Sequence, residues 1–187
     1  MTQSLIQGTV IVVGGPAGTG KTTTATALSE QFSCPFIEGD VLHPKENVEK
    51  MSKGIPLTDE DRWEWLKTLS HEVSTTSLSD ANQSKIAIVS CSMLKKVYRT
   101  YIKAHANNSN HIKFRFVFLY TTYEELIRRV ESRKGHFMKS DMVKSQYDIM
   151  EVPNGKELLA NGGDCLAIDA TGKTPNQINR EVIELLS

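Results

Sequence analysis

The sequence has few cysteines and no long apolar run. Its three cysteines, Cys34, Cys91 and Cys165, lie far apart, and none forms a CxxC pair. This spacing excludes a disulfide framework and a cysteine zinc site and favours a reduced compartment, so we expect a cytoplasmic protein with buried cysteines. The apolar run at residues 9–13 is much shorter than the roughly 20 residues of a membrane-spanning helix, and we expect no secretory signal.

The chain also lacks an excess of charge of either sign. It has 22 Lys+Arg and 22 Asp+Glu among 187 residues, so no large field remains to attract nucleic acid or a membrane surface. We therefore expect neither as a partner, although a local basic site is compatible with this balance. Hydrophobic residues make up 39% of the chain, which suits one globular domain spanning residues 1–187.

Strand-like and helical patterns alternate along the chain. This alternation predicts an α/β domain with a parallel sheet of about five strands, covered by helices on both faces. Two segments do not belong to the predicted sheet: residues 43–78, expected to form acceptor-binding helices, and residues 134–148, expected to form a lid. We predict strands at 9–14, 36–37, 86–89, 114–120 and 166–168, and helices at 21–32, 44–51, 58–78, 93–106, 123–133, 141–150 and 175–186.

A glycine-rich segment follows the first predicted strand and opens the first helix. Residues 15–22, GPAGTGKT, match the full P-loop pattern G-x-x-x-x-G-K-[ST] in the required context. Glycines let successive amides point into an anion-binding nest, Lys21 reaches the β- and γ-phosphates, and the Thr22 hydroxyl ligates Mg²⁺. The predicted nucleotide-binding residues here are Gly15, Ala17, Gly18, Thr19, Gly20, Lys21, Thr22 and Thr23.

A P-loop alone does not distinguish kinases from nucleotide switches or regulators, so the remaining polar residues matter. Glu38 and Asp40 follow the second predicted strand, at the edge where parallel sheets bind ligands. Glu38 could hold a water on Mg²⁺, and Asp40 could accept the proton of an attacking hydroxyl. The alternative is that Gly39 and Asp40 form an ordinary turn. The third strand ends in Ser90 and Cys91 without an acidic residue, which leaves the metal side to Glu38 and Asp40.

A second set of polar residues could bind a phosphoryl acceptor. Such donors suit a small, hydroxyl-rich anion, and Ser92, Lys95 and Arg99 recur at a spacing that could place them on one helix face. The alternative is a solvent-exposed charged face. The candidates are His43, Lys50, Arg62, Ser92, Lys95, Lys96 and Arg99, whereas Trp63 and Trp65 are expected to pack in the core.

Basic residues concentrate around Gly135, which could act as a hinge. In a kinase, Arg129 and Arg133 would close over the nucleotide and face the charge on the transferred phosphoryl group, and Arg133 is a candidate catalytic residue. His136 is a candidate substrate-binding residue. The alternative is an exposed basic helix end.

Together these segments resemble the gluconokinase family of P-loop sugar-acid kinases. The similarity runs from the P-loop to about residue 146. Glu38 departs from it, since bacterial relatives often carry Asp there. The matching residues are Gly39, Asp40, His43, Pro44, Asn47, Lys50, Met51, Gly54, Pro56, Leu57, Asp59, Asp61, Arg62, Trp65, Leu66, Cys91, Ser92, Lys95, Tyr98, Arg99, Arg129, Arg133, Gly135, His136 and Phe137.

The resemblance implies ATP- and Mg²⁺-dependent phosphorylation of D-gluconate to 6-phosphogluconate, which feeds the pentose phosphate pathway. It also implies a fold similar to nucleoside monophosphate kinases and often a homodimer. Two alternatives stay open. A shikimate-type kinase is expected to carry a glycine cluster after the third strand, where this chain has Ser90, Cys91 and Ser92. A nucleotide-dependent regulator would have no small acceptor, against which the donor residues argue.

Overall fold

A five-stranded parallel sheet forms the centre of the computed structural model, which describes residues 5–132 and 140–187. The strand order is β2-β3-β1-β4-β5, so the α/β prediction is confirmed. Helix α1 begins and ends where the sequence predicts, and so does α7. In chain order the elements are β1 (Gly8–Gly14), α1 (Lys21–Phe32), β2 (Phe36–Glu38), α2 (Lys45–Ser52), α3 (Asp59–Leu78), β3 (Ile86–Ser90), α4 (Lys96–Ala104), β4 (Ile112–Tyr120), α5 (Tyr123–Glu131), α6 (Ser140–Ile149), β5 (Cys165–Asp169) and α7 (Pro175–Leu186).

The sheet is covered on both faces, as its apolar strands predict. Alternate residues of β1 enter different cores: Val10 and Val12 pack with α3 and α4, whereas Ile11 and Val13 pack with α1 and α7. A strand that is buried on both sides reads as a continuous apolar run because neither face meets water. The carboxyl ends of β1, β2 and β3 therefore lie side by side at one rigid edge of the sheet.

Register fixes which residues meet at that edge. Val13 of β1 is paired with Ser90 of β3, and Ser90 is paired in turn with Glu38 of β2. The P-loop follows β1 and a short 3-10 turn, Gly39–Leu42, follows β2. Parallel strands thus bring the predicted phosphate-binding loop next to the predicted acids.

Segment 43–78 holds two helices and no strand, as predicted. Helix α3 begins with a capping box between Thr58 and Asp61, which confirms the interpretation of that start. Helix α3 nevertheless packs closely on the sheet, with Leu66 and Leu69 fully buried in the core. Helix α3 is therefore anchored to the same sheet that carries the P-loop.

The predicted start of α4 is wrong. The helix begins at Lys96 rather than at residue 93, because Met93 has a left-handed backbone (φ 28°) that no right-handed helix accommodates. Ser92 and Lys95 therefore lie in a loop ahead of the helix, and they do not share a helix face with Arg99. Apolar spacing alone could not reveal this, since Met93 and Leu94 are fully buried wherever the helix begins.

All three cysteines are buried and unpaired, which agrees with the expectation of small core residues. Burial raises the pKa of the Cys91 thiol to about 12, so this thiol stays protonated and unreactive. In residues 5–132 and 140–187, no helix is both long enough and apolar enough to cross a bilayer.

Candidate active site

The P-loop has the backbone geometry of an anion-binding turn. Gly15, Gly18 and Gly20 all have positive φ angles. A Cβ at Gly15 would lie 2.0 Å from the carbonyl oxygen of Leu119, so only glycine fits there. The Lys21 ammonium curls back over the loop and donates to the Gly15 carbonyl oxygen at 3.0 Å. The loop is thus shaped by glycine before any ligand is bound, with the start of α1 directed towards it.

Beside the loop, two hydroxyls hold one carboxylate. Thr22 Oγ1 lies 3.1 and 3.2 Å from the two Glu38 oxygens, and Ser90 Oγ donates to Glu38 Oε1 at 2.7 Å. The Gly39 amide donates in turn to Ser90 Oγ at 3.3 Å. Ser90 therefore fixes the carboxylate that the sequence assigns to the metal. We did not predict this role for Ser90. The position of Ser90 at the end of β3, where the sequence has no acidic residue, could have indicated it.

Asp40 lies one residue beyond Gly39, exposed to the cavity. The turn that carries it passes so close to β3 that a Cβ at Gly39 would lie 1.9 Å from the Ser90 carbonyl oxygen. Trp65 of α3 donates from Nε1 to the Gly39 carbonyl oxygen at 2.8 Å. The turn is thus held between the sheet edge and α3, which fixes the backbone position from which the Asp40 side chain extends.

His43 and Trp65 form an apolar wall of the same cavity. Their rings are stacked, with centroids 3.9 Å apart and an interplanar angle of 17°. Trp65 is 2% exposed, which confirms the prediction that it packs in the core, but its ring also lines the cavity. Burial, and then the nearby Arg62 guanidinium, lower the pKa of His43 from 6.5 to about 4. His43 is therefore neutral at physiological pH.

Arg62 is a buried cation whose hydrogen bonds are incomplete. It is 6% exposed and lines the cavity; Nη2 donates to the Leu57 carbonyl oxygen at 3.3 Å, and its Cζ lies 5.2 Å from the centre of the Tyr98 ring. In the described part of the chain, its Nε has no hydrogen-bond partner. A buried donor without a partner costs free energy, so a ligand oxyanion that reaches this guanidinium would be bound strongly.

Lys95 and Arg99 form ion pairs away from the cavity, although the sequence predicts that both bind the acceptor. Lys95 pairs with Asp59 at 3.0 Å, and Tyr98 donates its hydroxyl to the same carboxylate. Arg99, 2% exposed, pairs through Nε and Nη2 with Glu157 and donates from Nη1 to the Met93 carbonyl oxygen at 3.0 Å. Neither residue lines the cavity, whereas Ser92 does.

Arg129 is engaged on the other side of the P-loop. Its Nη2 donates to Glu125 and to the Ala170 carbonyl oxygen, each at 2.9 Å, and Glu125 accepts the Gly172 amide at 3.0 Å. Arg129 thus ties α5 to the segment after β5 and does not line the cavity. Arg133, His136 and the other residues of 134–139, where the sequence predicts the first part of a lid, lie outside the described residues.

Helix α6 adds a residue that the sequence analysis missed. Gln146 lines the cavity, and its Oε1 accepts a hydrogen bond from the Ala17 amide of the P-loop at 2.9 Å. Met142 and Ser145 of the same helix line the cavity as well. The lid prediction covered residue 146, but only its helical spacing from Met142 could have indicated that both face inward.

These residues enclose one cavity of about 520 Å³, a size typical of small-molecule sites. A larger, open depression of about 950 Å³ lies near the amino ends of β2 and β3, but it contains none of the predicted residues and no lysine or arginine. We therefore assign the chemistry to the smaller cavity. The predicted residues that line it are Ala17, Gly18, Gly20, Lys21, Thr22, Thr23, Glu38, Asp40, His43, Arg62 and Ser92, whereas Gly15 and Thr19 belong to the loop behind it.

Comparison with known proteins relates this site to small-molecule kinases. Residues 11–151 match the family model described as "AAA domain". The chain is 43% identical over 182 residues to a probable gluconokinase of Saccharomyces cerevisiae, covering 95% of this chain and 90% of the relative. It is 40% identical to a gluconokinase of Gluconobacter oxydans, covering 83% of each chain. The crystal structure of a gluconokinase from Sinorhizobium meliloti superposes with a TM-score of 0.76 at 37% identity, covering 96% of this chain and 91% of that one.

Proposed function

The chain belongs to the gluconokinase family, and we propose that it transfers the γ-phosphoryl group of ATP to D-gluconate, giving 6-phosphogluconate and ADP. One observation carries this proposal for the acceptor: the cavity that contains the P-loop also contains the buried Arg62 guanidinium and the exposed Asp40 carboxylate. A phosphate chain and a small carboxylic acid can therefore meet in one enclosed space. The product would feed the pentose phosphate pathway.

We assign the nucleotide to the P-loop side of the cavity. The loop amides and Lys21 would hold the phosphates, and Thr23 and the preceding loop residues would contribute to that cradle. Thr22 Oγ1 and the Glu38 carboxylate, about 3.1 Å apart, are hard oxygen donors of the kind Mg²⁺ prefers, with Glu38 acting through a water. When bound, Mg²⁺ would neutralise charge on the phosphates.

We assign the acceptor to the side formed by α2, α3 and the turn after β2. Arg62 would bind the carboxylate of gluconate, and His43 and Ser92 would bind its hydroxyls. Asp40 would accept the proton of the terminal hydroxyl as its oxygen bonds to the γ-phosphorus, while the bond to the bridging oxygen of ADP breaks.

The remaining candidates act on the edges of this site. Lys95 and Arg99 are better described as positioning residues, since both are held in ion pairs away from the cavity. We keep residues 134–148 as the lid, with His136 in it as an acceptor-binding residue, and we keep Arg129 and Arg133 as residues that would close over the nucleotide. In this proposal the enzyme acts in the cytoplasm, as the homodimer that the family resemblance implies, without nucleic acid or membrane partners.

An ADP-release assay across acceptors tests the proposal. We expect ATP-dependent turnover with D-gluconate that exceeds turnover with other sugar acids, shikimate and nucleoside monophosphates by at least about tenfold, because a hydrogen-bonding site rejects an acceptor that leaves its polar groups unpaired. Mass spectrometry should identify 6-phosphogluconate. ATP binding without any acceptor-dependent turnover would instead favour a nucleotide-dependent regulator, and preferential turnover of shikimate would favour the other kinase.

A further inference from the structure

We infer that Asn47 holds His43 as a neutral ring protonated on Nε2, so that His43 can only donate to the acceptor substrate. Asn47 is a positioning residue of α2. It is one of the residues that carry the family resemblance, but no role was predicted for it from the sequence. The identity of the acceptor rests on the proposed function. The protonation state of the ring rests only on the contacts within the chain.

The orientation of the Asn47 amide follows from its two contacts. One amide atom lies 2.7 Å from the backbone carbonyl oxygen of Asp61 and 3.2 Å from Nδ1 of His43. A carbonyl oxygen can only accept, so the atom facing it must be the NH₂ nitrogen. The opposite orientation would put two oxygens 2.7 Å apart with no proton between them. Asn47 is 3% exposed, so water cannot relieve such a contact.

The tautomer of His43 follows from that orientation. The second N–H of the Asn47 amide points to Nδ1, which must therefore accept and carry no proton. A neutral imidazole has one N–H, so the proton is on Nε2. Among the described residues, Nε2 has no hydrogen-bond partner, and the ring lines the cavity. The chain thus leaves one ring donor for a ligand.

The surroundings of the ring keep it neutral. Trp65 covers one face of the ring, and burial with the positive charge of Arg62 disfavours a second proton. The Asp40 carboxylate also lines the cavity, while the Asp61 carboxylate is paired with Lys50 at 2.8 Å. The ring therefore donates a hydrogen bond from Nε2 throughout the physiological pH range and does not act as the proton acceptor of the reaction.

A fixed donor makes His43 a specificity-determining residue. It can bind the lone pair of a hydroxyl or carboxylate oxygen, whereas an ammonium group at that position would find a donor and the Arg62 cation instead of an acceptor. Together with the positive charge of Arg62, which lines the same cavity, it selects an acceptor that is rich in oxygen and negatively charged. Amino-substituted sugar acids should accordingly be poor acceptors where the amine meets His43.

Nitrogen NMR of the unliganded protein tests the protonation state without any activity. In ¹⁵N-labelled protein, the ring signals of His43 are identified by their loss in His43→Gln. We expect Nε2 to be protonated and Nδ1 to be bare from pH 6 to 8, and added D-gluconate to shift the Nε2 proton. A proton on Nδ1, or ordinary titration near pH 6.5, would overturn the inference even if gluconate is the substrate. If gluconate is not turned over, the ring signals still decide the tautomer.

The role of Asn47 is tested by Asn47→Asp, with Asn176→Asp on the exposed face of α7 as the matched control. The new carboxylate can only accept, so we expect Nδ1 to become protonated and the ring to titrate above pH 6.5. The KM for D-gluconate should rise about tenfold while the KM for ATP changes less than about twofold. Unchanged ring signals in a folded Asn47→Asp protein, or equal rises in both KM values, would contradict the role. If this variant does not fold, the wild-type ring signals still test the tautomer.

Discussion

The two sides of the cavity are built by different means. The nucleotide side is a backbone structure: three glycines with positive φ and the start of one helix shape a loop of eight consecutive residues, 15–22. The side that we propose for the acceptor is formed by side chains from several elements. Trp65 holds the turn that carries Asp40, Asn47 contacts His43, and the Tyr98 ring lies beside Arg62. A local motif can encode the first, whereas the second exists only after the chain has folded. The two sides should therefore respond differently to substitution.

Removal of the Lys21 charge should give the largest effect. We expect Lys21→Met to lower kcat about 10³-fold, because the charge developing on the phosphoryl oxygens loses a positioned cation, while the KM for gluconate stays within about threefold. Steady-state kinetics with ATP and gluconate varied separately will measure this. Lys67→Met, at an exposed position of α3, is the control. An equal loss in the control would contradict the assignment.

Asp40→Asn tests the residue expected to lie between the two substrates. Replacing the carboxylate by a neutral amide of the same size removes the proton acceptor, so we expect kcat to fall between about 10² and 10³-fold with both KM values little changed. Asp80→Asn, at an exposed position, is the comparison variant. Nearly normal kcat in Asp40→Asn would mean that another group takes the proton.

Arg99 and Arg62, both buried, should separate stability from binding. Arg99→Met leaves the Glu157 carboxylate without its partner, so we expect the free energy of unfolding to fall by about 3 kcal/mol in urea denaturation. Adding Glu157→Leu should restore most of that loss, because an apolar pair replaces the ion pair. If Arg99→Met instead raises the gluconate KM without loss of stability, Arg99 contacts the substrate after all.

Arg62→Ala should act on the acceptor alone. We expect the KM for gluconate to rise at least about tenfold, through loss of a charge-assisted hydrogen bond, with little change in the KM for ATP. Isothermal titration with each ligand separately gives an independent measure. Equal weakening of ATP and gluconate would show that Arg62 supports the whole cavity rather than one side of it.

The last prediction concerns the pH dependence of stability. The pKa of His43 is about 4 in the folded protein and 6.5 in the unfolded chain, so between pH 6.5 and 4 only the unfolded chain gains this proton. Stability should therefore fall as pH decreases through this window. The slope is limited because the unfolded chain binds at most one more proton at this ring than the folded protein does. In parallel urea titrations, the free energy of unfolding of His43→Gln should fall less steeply with decreasing pH. Identical slopes for the two proteins would contradict a lowered His43 pKa.

The fold and the nucleotide side could be predicted from the sequence because their signals are local. Apolar runs, the P-loop pattern and the capping box at Thr58 each involve residues within a few positions of one another. The residues whose surroundings differ from those predicted, or that were not predicted, depend on distant residues instead. Arg99 pairs with Glu157, 58 positions away. Met93, which has a left-handed backbone, packs against Gly14, so the helical spacing from Ser92 to Arg99 wrongly predicted that these residues share a helix face. Gln146, bonded to Ala17 129 positions earlier, was missed for the same reason.

We propose that ATP and gluconate share one cavity with Asp40 between them. A crystal structure with a non-hydrolysable ATP analogue and D-gluconate tests it most directly. We predict the triphosphate on the P-loop, the gluconate carboxylate at Arg62, and the terminal hydroxyl of gluconate within hydrogen-bond distance of the Asp40 carboxylate and facing the γ-phosphorus. Gluconate bound outside this cavity, or with its carboxylate towards the P-loop and away from Arg62, would contradict the account.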